Sequence, residues 1–292
     1  MCTDARSQII KINYNMNSNA VYIPLSITRE KMDYYAMLHY SFKTLHQYYK
    51  GEFDIVVSVS SSDFNIWDEN YMGMNLVKDF PLVKFFKSDY HIFSSNPLMH
   101  KWYDVDKVFK IGYDLVFCFD CDVKYFNNID YFFQKYNDGN LYALYEGYNE
   151  HFVKVLGRNG MAGGQIMFPK HIFENIPNLN DKVVEIQKEL ITKAYEVLDI
   201  QTAGWFENLS EQYAIQSVFL NNGYIPKGMD CTDVCFGREI YDIEYLENDI
   251  KIITNTTALH YFGSCNWLFL PKEYLTKSQY EYKLQRIQQR DI

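Results

Sequence analysis

The sequence predicts a three-layer α/β/α domain built on a central, mainly parallel mixed sheet. Three observations carry this. Strand-like and helix-like stretches alternate from residue 20 onward. The apolar run Leu115-Val116-Phe117-Cys118-Phe119 has neither charge nor alternation, as a strand covered on both faces should. The chain is 292 residues long and 48% hydrophobic, enough for a sizeable core. No repeat or linker divides it, so one domain is expected over 1–292, with a first half at 20–125, a second at 126–270 and a helical tail at 271–292.

Ala20 to Ile27 reads as the first strand. A helix from Lys31 to Tyr49 follows, in which Tyr34, Leu38, Phe42, Leu45 and Tyr49 share a face. Phe53 to Val59 is a second strand, Ser58 to Asn75 a long polar loop and Leu82 to Phe86 a short third strand. From Pro97 to Ile111 the pattern is helical, with Met99, Trp102, Val105 or Asp106, and Phe109 inward.

Beyond the central strand, Ile129 to Tyr136 is a short helix and Leu141 to Tyr145 a strand. Gly157 to Gly164 gathers small residues ahead of a strand at Gln165 to Phe168. Asp181 to Leu198 is amphipathic, with Val184, Ile186, Leu190, Ile191, Ala194 and Leu198 inward and Glu189 and Lys193 as a surface pair. The next helix is expected to open at Asn208-Leu209-Ser210-Glu211-Gln212 and to close at Asn221-Asn222-Gly223, which is N-cap and C′ chemistry. An irregular loop at Gly228 to Asp242 precedes strands at Ile250 to Ile253 and Ala258 to Phe262. The tail spaces Tyr280, Leu284 and Ile287 helically and either docks on the domain or touches a membrane surface.

The central strand ends abruptly in Asp120-Cys121-Asp122. Ligands of open α/β sheets bind beyond the carboxyl ends of strands, and two carboxylates there suit a divalent cation with oxygen ligands, Mg²⁺ or Mn²⁺, shared with phosphate. The alternative is that the pair caps a turn running into Asn127, Asn128 and Asp130.

Composition narrows the partners. A net charge of −9 and a pI near 5.3 argue against nucleic acid, which demands a basic face. There is no apolar run of signal-peptide or membrane-spanning length, and six cysteines form no secreted framework, so a cytoplasmic protein with reduced thiols is expected. A zinc site from Cys118, Cys121, Cys231 and Cys235 is disfavoured because the first pair overlaps a strand. Aromatic residues make up 17%, and tyrosines can either stack on sugars or fill cores.

Three segments in order resemble one family. Phe119-Asp120-Cys121-Asp122-Val123 resembles the Asp-x-Asp segment of GT-A glycosyltransferases, which use a nucleotide-sugar donor and a divalent metal. Gly160-Met161-Ala162-Gly163-Gly164-Gln165-Ile166-Met167-Phe168 resembles the small-residue segment beside the donor sugar in the glycogenin-like group. His260-Tyr261-Phe262-Gly263 resembles the C-terminal motif whose histidine is the third metal ligand.

The resemblance implies a GT-A-like fold and a Mn²⁺ ion, with Mg²⁺ as the alternative, held by Asp120, Asp122 and His260. It implies a donor site built from Ile27, Thr28, Arg29, Lys101, Asp120, Cys121, Asp122, Gly163, Gly164, Gln165, Gln212 and Gly263. Thr28 and Arg29 either meet the uracil or a phosphate, or cap and solvate the first helical turn. Neither a glycine-rich loop nor a Rossmann fingerprint follows the first strand, which disfavours nucleotidyltransferases. Where glycogenin-like enzymes carry Lys-Pro-Trp after the glycine, this chain has Cys265-Asn266-Trp267. That departure points away from their retaining mechanism. An inverting enzyme needs a carboxylate base, for which Glu211 is the candidate beside Asp122; the alternative for Glu211 is a helix-start charge. The expected reaction moves a hexose or pentose, most simply from a UDP-sugar, to a glycan or glycoconjugate hydroxyl. Two other classes fit the same residues: a nucleotide-sugar hydrolase, and a carbohydrate-binding protein that would not need the Asp pair.

Overall fold

The computed structural model describes residues 17–90, 99–145, 149–230, 233–237, 257–261 and 269–288. Its main sheet has seven strands: β1 (Asn19–Ile27), β2 (Asp54–Ser61), β3 (Val83–Lys87), β4 (Leu115–Phe119), β6 (Tyr142–Tyr145), β7 (Met161–Pro169) and β8 (Lys227–Gly228), in the order β3-β2-β1-β4-β7-β6-β8. β3, β2, β1 and β4 are mutually parallel, and β7 runs antiparallel to β4 and β6. β5 (Val123–Tyr125), β9 (Val234–Gly237) and β10 (Ala258–Tyr261) form a small second sheet in the order β5-β10-β9.

Residues of successive β4 positions enter different cores, so the strand is covered on both faces as its unbroken apolar run predicts. Leu115, Phe117 and Phe119 join a core with α1 (Asp33–His46) and the small sheet. Val116 and Cys118 join one with α3 (His100–Ile111), α7 (Leu179–Val197) and α8 (Ile200–Asn221). Three layers result. Cys118 and Cys121 are buried in opposite cores and do not converge on one ion. Burial pushes the Cys118 thiol up to about 12.

Several elements depart from expectation. The polar stretch after β2 is anchored, because Phe64 and Ile66 are buried and the short helix α2 (Leu76–Asp79) is capped by Asn75. The helix α4 (Asp130–Lys135) lies where predicted, but α5 (Glu150–Leu156) was not expected. It is capped by the Asn149 side chain and stopped by Gly157 at φ 73°, a seven-residue signal too short to show periodicity. Gly163 and Gly164 lie inside β7 rather than ahead of it. After the short helix α6 (Lys170–Glu174), α7 turns the expected Val184, Ile186, Leu190 and Ala194 inward, with Leu198 at its end, and adds Leu179 and Val183, while Lys193 donates to the Val155 carbonyl at 2.5 Å.

The largest correction concerns α8. It opens at Ile200, where the Asp199 side chain accepts from Thr202 N, so Asn208 and Ser210 are mid-helix and Glu211 is no helix-start charge. Ser210 instead donates to the Glu207 carbonyl at 2.6 Å and accepts from Gln187 at 2.9 Å. Burial of Ala203 and Phe206 extends the helix backwards through a stretch whose local sequence looked like a start. In the tail, Tyr274 packs against His39 and Tyr40 of α1, and the last helix, α9 (Lys277–Gln288), is tied by Lys283 to the Leu270 carbonyl. The expected strand at Ile250 to Ile253 lies outside the described residues. No helix among the described residues is long and apolar enough to cross a membrane.

Candidate active site

The strand order reverses between β1 and β4, which makes their carboxyl ends the crevice where an open sheet binds ligands. β1 pairs with β4 only through Tyr22, which faces Cys118, and then continues along β2 to Ile27. Thr28 therefore stands four strand positions further along than Asp120, about 13 Å.

At the foot of the step Asp120 leaves β4. Asp122 follows at the start of β5, and the β5-β10 pairing, in which His260 faces Val123, delivers the imidazole. His260 Nε2 lies 3.2 Å from Asp122 Oδ1 and 3.6 Å from Asp120 Oδ2. Among the described residues these three are the group that could hold a metal, with one ligand atom from each within 4.8 Å of the others. Two carboxylate oxygens and one imidazole nitrogen are a donor set for a borderline-hard divalent ion, so the residues fit the metal that the resemblance implies. Burial alone would lower the His260 pKa, but Asp122 and Asp120 outweigh it and hold the imidazole above its usual range.

Lys101 lies under the pair. Its Nζ donates to the Gly163 carbonyl at 3.2 Å and to Asp120 Oδ1 at 3.3 Å, and forms an ion pair with Glu211 Oε1 at 3.1 Å. Against burial, Lys101 and His260 hold Asp120 below the ordinary carboxylate range. Burial wins at Glu211, whose carboxyl is held above its ordinary value despite Lys101.

β7 supplies the wall. Ile166 faces Ala143 and Met161 faces Tyr145, so residues 162–165 of β7 bulge out opposite the single residue 144 of β6. The bulge carries Gly163, Gly164 and Gln165. A Cβ on Gly164 would overlap the Asp120 carboxylate, and one on Gly163 would lie 2.5 Å from Gln212 Cβ, so both positions require glycine for close approach. Gln212 Oε1 accepts from Gly163 N at 3.0 Å. Gln165 is fully buried, and neither amide atom has a partner among the described residues.

The predicted residues divide into two groups. Lys101, Asp120, Asp122, Gly163, Gly164, Glu211, Gln212 and His260 converge, with Cys121 buried between the two aspartates and Gln165 next along β7. Ile27, Thr28 and Arg29 stand apart at the far end of the step. The Thr28 side chain caps nothing. The Arg29 guanidinium pairs with Glu69 and lies 5.7 Å from the Phe64 ring, and the Arg29 backbone N–H donates to Asp63. Gly263 and Cys265-Asn266-Trp267 lie outside the described residues.

Sequence reasoning missed a buried polar network beside Lys101. His100 Nδ1 meets Ser26 Oγ at 2.8 Å, while its Nε2 lies 3.0 Å from both Ser58 Oγ and Asp104 Oδ2. The network pins α3 to the ends of β1 and β2 and so sets the height of Lys101. Its sequence signal is the i,i+4 pair His100 and Asp104. A second missed carboxylate, Asp233, accepts from Tyr131 at 2.6 Å, from Lys135 at 2.6 Å and from Tyr136, which braces α4 against the sheet carrying His260.

The chain matches no family model and no curated protein sequence. Solved structures do match. The bifunctional glycosyltransferase WbbM superposes with a TM-score of 0.53 at 11% identity, over 94% of this chain and 52% of that one. The galactosyltransferase LgtC, in complex with donor and acceptor sugar analogues, gives a TM-score of 0.50 at 11% identity over 93% and 95%. Mouse xyloside xylosyltransferase 1 in its apo form gives a TM-score of 0.50 at 11% identity over 85% and 98%. The mixed seven-stranded sheet, its switch point and the Asp-x-Asp that ends β4 give this chain the GT-A fold of those glycosyltransferases.

Proposed function

We propose that the chain is a metal-dependent glycosyltransferase that moves a hexose or pentose from a UDP-sugar to a hydroxyl of a glycan or glycoconjugate. The observation that carries this reading is the convergence of Asp120, Asp122 and His260 at the switch point of a GT-A sheet.

Asp120, Asp122 and His260 would hold Mn²⁺, which the imidazole favours over Mg²⁺. When bound, the ion supplies positive charge that stabilises the leaving diphosphate. The chain's own residues do the rest. Thr28 and Arg29, at the far end of the step, lie where the nucleoside would extend. Lys101 fixes Asp120 and Glu211 relative to one another. The bulge at Gly163 and Gly164 lets a sugar approach the backbone, and Gln212 holds that backbone through Gly163 N. Glu211 takes the proton of the acceptor hydroxyl; its raised pKa moves it toward neutrality, where a general base is most effective.

The test is a thermal-shift screen of UDP-glucose, UDP-galactose, UDP-xylose and a GDP-sugar, each with Mn²⁺ and with EDTA. A ligand bound only by the native state at a hundred times its Kd adds about 2.7 kcal/mol of stability. One UDP-sugar is expected to shift the melting temperature only with Mn²⁺. No shift with any donor, or equal shifts with EDTA, would overturn the reading. Sugar release that outpaces transfer to every acceptor tried would assign the site to a hydrolase instead.

A further inference from the structure

α8 carries Glu211 and Gln212 into the candidate site, and it continues outward for eleven residues before them, to Ile200. On that outer half one stripe at spacings of four, three and four reads Gln201, Trp205, Asn208, Gln212. Its inner end is buried and bonded to Gly163, whereas Gln201, Trp205 and Asn208 are exposed. Trp205 is 50% exposed, although its ring rests 4.9 Å from that of Phe152. On the neighbouring α7, Tyr195 is 47% exposed and donates to Glu207 at 2.9 Å. The indole is thus half open to water and set between two exposed side-chain amides on the helix face that leads to Gln212.

We infer that this stripe is an acceptor subsite for a neutral glycan, with Trp205 as the stacking platform. The inference rests on the glycosyltransferase reading. Three features select a neutral sugar chain over other occupants. The amides of Gln201 and Asn208 offer both donors and acceptors, which suits hydroxyl groups. The carboxylates exposed at this end of the α7–α8 hairpin, Glu196, Asp199 and Glu207, repel nucleic acid and anionic lipid. The stripe is continuous with the site: Trp205 stands seven residues along the helix from Gln212, about 10 Å, a distance that about two sugar units span. A glycan whose terminal hydroxyl lies at Glu211 thus rests a unit further back on the indole, whose apolar face suits the C–H face of a pyranose.

The experiment uses the full chain with Mn²⁺ and UDP on a printed array of neutral oligosaccharides, comparing wild type with Trp205→Ala and Trp205→Phe. Wild type is expected to bind a subset of the array. Trp205→Ala should lose about tenfold in affinity for that subset, and Trp205→Phe should recover most of it. Both variants should bind Mn²⁺ and UDP as wild type does in calorimetry. If wild type binds UDP but no array glycan, or if Trp205→Ala binds the array unchanged, the subsite is wrong and the donor reading stands. If wild type binds no nucleotide, the glycosyltransferase reading itself fails. A concentration-dependent dimer of wild type that Trp205→Ala abolishes, with no glycan bound, would assign the patch to a second copy of the chain and overturn the inference.

Discussion

Gly164 and Asp120 occupy each other's space: the carboxylate of Asp120 lies where a side chain on Gly164 would begin. The bulge of β7 brings the glycine against the end of β4, and only the lack of a Cβ lets Asp120 keep its position. Gly164→Ala is therefore expected to push Asp120 away from His260. Mn²⁺ affinity, read by electron paramagnetic resonance titration, should fall about tenfold or more, and overpacking should cost about 1–3 kcal/mol in denaturant melts. Unchanged Mn²⁺ affinity would mean that Asp120 is not a ligand.

Lys101 is the buried cation between two carboxylates, and its removal gives a pH-dependent result. Lys101→Met leaves Asp120 and Glu211 without their shared partner, a loss of about 3–5 kcal/mol for a broken buried pair. The Glu211 pKa is already raised by burial and must rise further without Lys101. A carboxyl whose folded pKa lies above its unfolded value contributes its stability at acid pH and loses it as pH rises. The deficit relative to wild type is thus expected to be smallest near the unfolded carboxylate pKa, about 4, and to grow toward neutrality. A deficit independent of pH would show that Lys101 acts through packing alone.

Much of this was legible because it is written locally. The runs that became β1, β2 and β4, and the Asp pair that ends β4, announce themselves within a few residues, since a strand buried on both faces tolerates no charge until it leaves the sheet. The start of α8 was misread for the same reason. Asn208 and Ser210 are good cap residues by local chemistry, but Ala203 and Phe206 are buried, and that packing extends the helix back to Asp199. In the second sheet β5 lies more than a hundred residues from β9 and β10, so no window of sequence contains the contact between His260 and Asp122. Only the family motif pointed to it. The bulge was hidden likewise: its glycines are visible, but the strand that runs through them is set by β4 and β6.

Gln165 separates a ligand role from a structural one. A buried amide with neither atom bonded among the described residues costs about 1–3 kcal/mol, so Gln165→Leu is expected to raise the melting temperature of the ligand-free protein. If the amide serves the donor's sugar, the same variant should bind UDP normally and the UDP-sugar less tightly, by calorimetry. A Gln165→Leu protein that melts lower than wild type would show instead that water satisfies the amide and that its purpose is internal.

Glu211 decides the stereochemical course. The structure removes its reading as a helix-start charge, because it lies in the middle of a 22-residue helix. What remains is a buried carboxylate with a raised pKa, 3.1 Å from Lys101 and beside the glycine bulge. Glu211→Gln keeps the shape and removes the proton acceptor. Turnover is expected to fall about a hundredfold or more, while Mn²⁺ and UDP-sugar binding stay near wild type. Losing the partner of Lys101 costs stability as well, so binding must be measured on protein shown by circular dichroism to be folded. With Glu211 as base, the hydroxyl attacks from the face opposite the leaving diphosphate, and NMR of the product should show the anomeric configuration inverted relative to the donor. Retention of configuration, or near-normal turnover in Glu211→Gln, would confine Glu211 to holding Lys101 in place beneath Asp120.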